Sequence, residues 1–154
     1  MQGASDSLKG ARGRRGSPPA APADVGRGAD VVSTPVGPYT PVVRAGGFLV
    51  ASGQLGLAGG ALVEGGVGAQ LAQAVDNLSG LLAAEGASLA DVVKTTVFLS
   101  DIGDYGAMND AYTTAFGATR PARTAVAVAG LPLAAAVEIE AWAWVGDRSG
   151  DGAD

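Results

Sequence analysis

The sequence predicts an α+β domain with the element order β-β-α-β-α-β-β. Two stretches repeat apolar residues at helical spacing, and five shorter stretches are rich in strand-forming residues or alternate apolar with polar ones. A length of 154 residues allows one domain, and a composition of 47% hydrophobic and 16% charged residues suits a compact core. Two helices can cover only one face of such a sheet, so we expect one mixed sheet with both helices on one face.

The folded body is predicted to span residues 31–147. Residues 1–30 are rich in Gly, Ala, Pro, Ser and Arg and hold no aromatic residue, so we expect a disordered tail there and a second disordered end at 148–154. The tail lacks the apolar segment of a secretory signal. The longest uncharged run near the C-terminus, residues 124–137, is broken by Gly130 and Pro132. We therefore expect a cytoplasmic protein without membrane segments.

The first two strands are predicted at residues 42–44 and 48–52, as a hairpin that turns through Ala45, Gly46 and Gly47. A stiff loop at 34–39 precedes them, and residues 53–60 read as a loop.

The first helix is predicted over residues 67–84. One face of it carries apolar residues at steps of three and four, and Gly86 suits the position just after its end. These apolar residues are Val67, Leu71, Val75, Leu78 and Leu82.

Residues 92–100 alternate apolar and polar side chains and predict the third strand. Asp104 is the expected N-cap of a second helix at about 105–116. The residues of this helix expected to be buried are Tyr105, Met108, Tyr112 and Phe116.

The last two strands are predicted at 123–129 and 136–145, antiparallel across the turn Gly130-Leu131-Pro132. The cations Arg120 and Arg123 and the carboxylates Glu138 and Glu140 would then lie on or next to neighbouring strands, among small apolar residues. A cation and a carboxylate in that setting suggest a site for a small anionic ligand.

Composition excludes several kinds of chemistry. The chain has no cysteine and no histidine, which removes thiolate and Ser-His-Asp catalysis and the usual zinc and iron sites, so no metal ligand is expected. Residues 1–30 carry a net charge of +2 and the chain −5, so residues 31–154 carry −7. Such an acidic body argues against nucleic acid as the main partner.

Neither face of the predicted sheet reads as fully solvated. In the final strand, Val137 and Ile139 share one face while Trp142 and Trp144 share the other. Another subunit usually covers apolar area that the helices leave open, so we expect a homo-oligomer with its sheets turned inward.

Six segments carry a family resemblance: VGPY (36–39), ASGQ (51–54), DNL (76–78), DVVKTTVFLSDIGDYGAMNDAY (91–112), RPART (120–124) and LPLAAAVEIEAWA (131–143). In order and spacing they resemble the RidA/YjgF reactive-intermediate deaminase family, over about residues 34–146. This resemblance implies a chorismate-mutase-like fold and a homotrimer with three clefts between subunits. It also implies hydrolysis of 2-imino or enamine acids to 2-keto acids and ammonia without metal or organic cofactor.

Two residues carry the implied catalysis. The Arg123 guanidinium suits a carboxylate, which it can grip with two parallel hydrogen bonds. The resemblance gives Glu138 the role of orienting and deprotonating water, which is all that an electrophilic imine carbon needs. The expected substrates and products are small 2-imino and 2-keto carboxylates.

Five further positions are expected to bind substrate by resemblance. Tyr39 lines the cleft, the backbone around Ser52 and Gly53 borders the ligand, and Asn109 lies nearby. At Ala125 close family members often carry Cys, so any thiol-linked activity is in doubt. The expectation is that residues 120–144 supply half a site and the neighbouring chain the other half, with Tyr39 in it.

Three other charged residues are interpreted without a role in catalysis. Arg120 is expected to face solvent, Glu140 to be structural or interfacial, and Lys94 to be ion-paired or packed along its stem. The alternative function is a non-catalytic module that binds small carboxylates on the same trimeric scaffold. A third interpretation, ribonuclease activity, is disfavoured by the acidic body and the lack of histidine.

Overall fold

The computed structural model describes residues 35–146. The predicted tail at 1–30 and the predicted C-terminal end at 148–154 lie outside the described residues.

Seven strands and two α-helices follow one another in the order β1-β2-β3-β4-α1-β5-α2-β6-β7. The strands are β1 (Val42–Ala45), β2 (Phe48–Leu55), β3 (Leu57–Ala58), β4 (Ala61–Leu62), β5 (Val92–Leu99), β6 (Ala122–Ala127) and β7 (Val137–Trp144). The helices are α1 (Gly66–Ala84) and α2 (Tyr105–Phe116).

Five of the strands form the main sheet, in the order β1-β2-β7-β5-β6, and β3 pairs with β4 in a separate small hairpin. The pairs β1–β2, β2–β7 and β5–β7 are antiparallel, whereas β5 and β6 are parallel. The predicted α+β class and mixed sheet are therefore confirmed.

The pairing predicted for the last two strands is wrong, because β5 lies between β6 and β7. The segment from β5 through α2 to β6 is a strand–helix–strand crossover, which joins parallel neighbours. The chain then crosses the end of β5, where Val128 N donates to Leu99 O at 2.8 Å and Ser100 N to Ala136 O at 3.0 Å. Residues 130–132 therefore belong to a connection between separated strands and not to a hairpin turn.

Both helices pack on one face of the main sheet, as the sequence predicted. Leu71, Leu78 and Leu82 of α1 are fully buried in one cluster with Val97 of β5 and Ile139 of β7. No helix of residues 35–146 packs on the opposite face of the sheet, where Trp142 and Trp144 are 45% and 46% exposed. This exposed apolar face agrees with the expectation that another surface covers it.

Several local predictions need correction. Tyr105 is 42% exposed instead of buried, because it begins α2 at the rim of the core. Asp104 is the N-cap of α2, as predicted, but its side chain makes no capping hydrogen bond within the described residues. It also ends a short 3-10 helix, whose N-cap is Asp101. Residues 53–55 continue β2 instead of starting a loop. No helix within residues 35–146 is long and apolar enough to cross a membrane.

Candidate active site

Glu138 lies on β7 on the face of the sheet away from the helices, since its neighbours Val137 and Ile139 are buried in the helix-facing core. Partial burial raises the pKa of the Glu138 carboxyl above its usual range, and the negative charge of Glu140 raises it further. A carboxyl with a raised pKa is better suited to exchanging a proton near neutral pH than an ordinary surface glutamate.

A bulge in β2 brings backbone against this carboxylate. The ladder between β2 and β7 shifts register between Ala51 and Gln54, so Ser52 and Gly53 leave the regular pairing. The Gln54 side chain is buried, and its Nε2 donates to the carbonyl oxygens of Ser52 at 3.0 Å and Gly53 at 3.2 Å. These two hydrogen bonds from Gln54, a residue of the same strand, hold the backbone of the bulge in place.

The Glu138 carboxylate occupies the space where a side chain at position 53 would lie. A β-carbon at position 53 would overlap Oε1 of Glu138 and lie 2.8 Å from its Cδ. The missing side chain therefore lets the carboxylate lie directly on the backbone of the bulge.

A cavity of about 350 Å³ opens beside Glu138. Tyr39 lines it from the loop before β1, where the Val36 N–H donates to the Tyr39 hydroxyl at 3.3 Å. The Ser52 hydroxyl faces the same loop and donates to Thr40 O at 2.7 Å. The lining residues are Val36, Gly37, Tyr39, Ser52, Gly53, Leu55, Pro132 and Glu138. We call Tyr39, Ser52, Gly53 and Glu138 the Glu138 group.

A second cluster surrounds Arg123 on β6. The guanidinium Nη2 donates to Asn109 Oδ1 at 2.7 Å and to the Tyr105 hydroxyl at 3.3 Å, and Nη1 points at Met108 Sδ at 3.6 Å. Its central carbon lies 4.7 Å from the centre of the Tyr112 ring, within the range of a cation–π interaction. We call Arg123, Tyr105, Asn109 and Tyr112 the Arg123 group.

Tyr112 is itself held in place. Its hydroxyl is 2.8 Å from the hydroxyl of the fully buried Thr95, and burial raises the pKa of the Tyr112 phenol despite that hydrogen bond and the nearby charge of Arg123. A neutral ring fixed in this way gives the guanidinium a firm surface to stack on. Within residues 35–146 the ion pair is Arg44–Glu85, at 3.5 Å, and Arg123 has no carboxylate partner there. The guanidinium is therefore oriented, and no carboxylate of the described residues pairs with its charge.

The two groups do not meet within one chain. Arg123 pairs with Thr95 on β5 and contacts α2, so it lies on the helix side, whereas Glu138 pairs with Phe98 on the other face. Strand β5 lies between the strands of Arg123 and Glu138, and the two residues are three positions apart along the sheet. Their Cα atoms are therefore about 14 Å apart. Within one chain Tyr39 and Glu138 line one cavity, and the expected contribution of Tyr39 from a neighbouring chain stays a prediction. It is Arg123 that is separated from them.

The remaining predicted residues have simpler environments. Ala125 packs partly against the core two residues after Arg123, and Arg120 donates to the carbonyl oxygens of Gly117 and Thr119 after α2. Lys94 donates to Thr124 Oγ1 at 2.7 Å. Glu140 pairs across the sheet with Thr96 on the open face.

Two residues at these sites were not assigned there from the sequence. Gln54 was counted as part of a loop, although a polar residue after Ser-Gly at a strand end is a signal for a bulge. Tyr105 precedes Asn109 by four residues on one helix, a spacing that places both on the same face.

These features define a small α+β domain with a partly buried carboxylate and an oriented guanidinium that has no ion-pair partner among residues 35–146. The family model described as Endoribonuclease L-PSP, whose members include the RidA/YjgF proteins, matches residues 31–145, and this chain belongs to that family.

Similar proteins carry related descriptions. A 2-iminobutanoate/2-iminopropanoate deaminase of Mus musculus is 45% identical over 108 residues, which cover 69% of this chain and 80% of that protein. A RutC family protein of Pyrococcus horikoshii is 42% identical over 112 residues, covering 71% and 89%. The crystal structure of RidA from an Antarctic Psychrobacter species superposes with a TM-score of 0.71 at 37% identity, covering 74% of this chain and 94% of that one.

Proposed function

We propose that this protein hydrolyses small 2-imino and enamine acids, such as 2-iminopropanoate and 2-iminobutanoate, to 2-keto acids and ammonia. The observation that carries the proposal is the Arg123 guanidinium, which is fixed by Asn109 and Tyr112 yet lacks a carboxylate partner in residues 35–146. The similarity to proteins named 2-iminobutanoate/2-iminopropanoate deaminase supports this reaction.

Arg123 binds the substrate carboxylate with two charge-assisted hydrogen bonds and so fixes the adjacent C=N carbon. The imine reacts in its protonated form: Glu138 accepts a proton from a water molecule as the water oxygen bonds to that carbon, and C=NH2⁺ becomes C–NH2. Glu138 then gives this proton to the nitrogen. As the C–N bond breaks and ammonia leaves, Glu138 takes the hydroxyl proton, the C=O bond of the keto acid forms, and the proton passes to the departing ammonia. Each turnover consumes one water and releases one ammonia, with no oxidation or reduction.

The site requires two copies of the chain. The Arg123 group and the Glu138 group lie on opposite faces of one sheet, so one substrate cannot contact both within a protomer. A homotrimer in which the open sheet faces inward would cover Trp142 and Trp144 and bring the Glu138 group of one copy to the Arg123 group of the next. We place this assembly in the cytoplasm, as an enzyme that removes reactive intermediates.

The deciding experiment couples the purified protein to a threonine dehydratase and traps free imine with semicarbazide. The protein is expected to lower the trapped imine and to speed keto acid release, and the Arg123→Ala variant is expected to do neither. Saturable binding of 2-oxobutanoate without loss of trapped imine would instead identify a non-catalytic carboxylate-binding module. Activity that survives in Arg123→Ala would point to a contaminating enzyme.

A further inference from the structure

The hydrogen bonds around Arg123 leave one hydroxyl proton without an acceptor. A guanidinium only donates, so the Tyr105 oxygen is the acceptor of the 3.3 Å bond from Nη2. The Tyr105 proton must then point away from Arg123. The side chain is 42% exposed, and its hydroxyl donates to no other group in the part of the chain that the structure describes.

Asn109 presents donors in the same way. Its Oδ1 accepts from Arg123 Nη2 at 2.7 Å, which directs the Nδ2 amide group away from the guanidinium. Within residues 35–146 this amide has no acceptor. The neighbourhood of Arg123 therefore holds a full positive charge with an O–H donor and an N–H donor beside it, and no competing carboxylate.

We propose that Tyr105 is a substrate-binding residue. The substrate carboxylate replaces the Tyr105 oxygen as the acceptor of the 3.3 Å bond from Arg123 Nη2, and the Tyr105 hydroxyl then donates to that carboxylate oxygen. The proposal rests on the proposed function and extends it with a residue that decides how tightly the carboxylate binds. A carboxylate oxygen can accept two hydrogen bonds at once, one from the guanidinium and one from the phenol. The centre of the Tyr105 ring also lies 5.8 Å from the Arg123 central carbon. The ligand and the guanidinium would therefore lie beside the same aromatic ring.

The direct test is the ¹³Cζ resonance of tyrosine, which responds to hydrogen bonding of the phenol. The chain has three tyrosines, so each signal is assigned by one Tyr→Phe variant. Titration of the full-length protein with 2-oxobutanoate is expected to shift the Tyr105 signal saturably, whereas 2-butanone, which lacks the carboxylate, leaves it in place. The buried Tyr112 hydroxyl, already bonded to Thr95, serves as an internal reference.

The kinetic test is Tyr105→Phe, which keeps the ring and removes the donor. The KM for imine and the dissociation constant of 2-oxobutanoate are expected to rise about tenfold while kcat changes less than about twofold, because a hydrogen bond to a charged group is lost. An unchanged KM, or a loss confined to kcat, overturns the role of Tyr105.

The outcomes separate the two proposals. An active wild-type protein whose Tyr105 signal does not move at saturation overturns the role of Tyr105 alone. A wild-type protein that binds 2-oxobutanoate with a shift at Tyr105 but does not consume imine overturns the deaminase function and supports the binding role. Absence of saturable keto acid binding overturns both.

Discussion

Arg123 and Glu138 project from opposite faces of the same sheet, with β5 between their strands. A site that uses both groups must therefore combine one residue from each of two chains. Two inactive variants, Arg123→Ala and Glu138→Gln, are expected to restore activity when they are co-expressed as mixed oligomers. With random mixing in a closed ring, about a quarter of the sites receive both intact residues.

The measurement is the specific activity of the mixed oligomers against that of each variant purified alone. A chain that carries both substitutions, co-expressed with wild type, serves as the reference for mixing. If the mixture of single variants stays inactive although mass spectrometry shows mixed oligomers, the two residues do not share a site.

The proposed binding of the substrate carboxylate by two hydrogen bonds from Arg123 predicts that a positive charge alone at position 123 is not enough. Arg123→Lys keeps the cation but loses the paired hydrogen bonds, so kcat/KM is expected to fall at least about 100-fold. The matched control is Arg120→Lys, because Arg120 bonds only to the carbonyl oxygens of Gly117 and Thr119. Analytical ultracentrifugation checks that both variants assemble like wild type. A fully active Arg123→Lys variant would contradict the binding of the carboxylate by two hydrogen bonds from Arg123.

The bulge at Gly53 predicts that a larger side chain at this position disturbs Glu138. Gly53→Ala places a methyl group against the Glu138 carboxylate, which must move away from the reacting water. A misplacement of about 1 Å can cost about 100-fold in kcat, and that loss is expected here. Gly80→Ala is the control, since nothing lies within 4 Å of its new methyl group on the exposed side of α1. A normal kcat in Gly53→Ala would show that the added methyl group does not disturb the position of the Glu138 carboxylate in catalysis.

Local patterns in the sequence were sufficient for the elements and insufficient for their pairing. The spacing of Leu71, Leu78 and Leu82 predicted α1 correctly because burial on one helix face follows from local periodicity. The position of β5 between β6 and β7 could not be read in that way, because residues 130–132 look like a hairpin turn and the crossover through α2 is a property of the whole sheet.

For the site, too, the sequence identified the residues but not how they are placed relative to one another. Motifs singled out Arg123 and Glu138, and alternation along β7 placed Glu138 opposite Val137 and Ile139. The face on which Arg123 lies depends on its pairing with Thr95, which the sequence does not encode locally. The role of Tyr105 was missed because helical spacing grouped it with the buried residues Met108 and Tyr112, whereas it begins α2 outside the core.

The charge of Glu140 predicts a shift in the pH dependence of catalysis. Burial and the Glu140 carboxylate both raise the pKa of Glu138, and Glu138 must be ionised to accept a proton from water. Activity is therefore expected to fall on the acid side at a pH above the ordinary pKa of glutamate. Glu140→Gln removes a like charge, so the pKa of Glu138 falls and the acid limb of the kcat profile moves to lower pH.

Asp76→Asn is the control for a general change in net charge, because Asp76 is exposed on α1. It is expected to leave the acid limb in place. An acid limb that does not move in Glu140→Gln means that Glu138 does not set it.

The loop that borders both the cavity and β7 predicts a stabilising substitution. Leu133 and Ala134 have φ angles of 58° and 56°, in the left-handed region where a side chain costs about 1 kcal/mol. Ala134 is exposed, so Ala134→Gly removes this strain with little loss of packing. The free energy of unfolding is expected to rise by about 0.5–1 kcal/mol, measured by urea denaturation. The same exchange at the exposed helical residue Ala72 is expected to lower it by about 1 kcal/mol, because glycine there adds only entropy to the unfolded chain. Equal losses at both positions would contradict the left-handed backbone at residue 134.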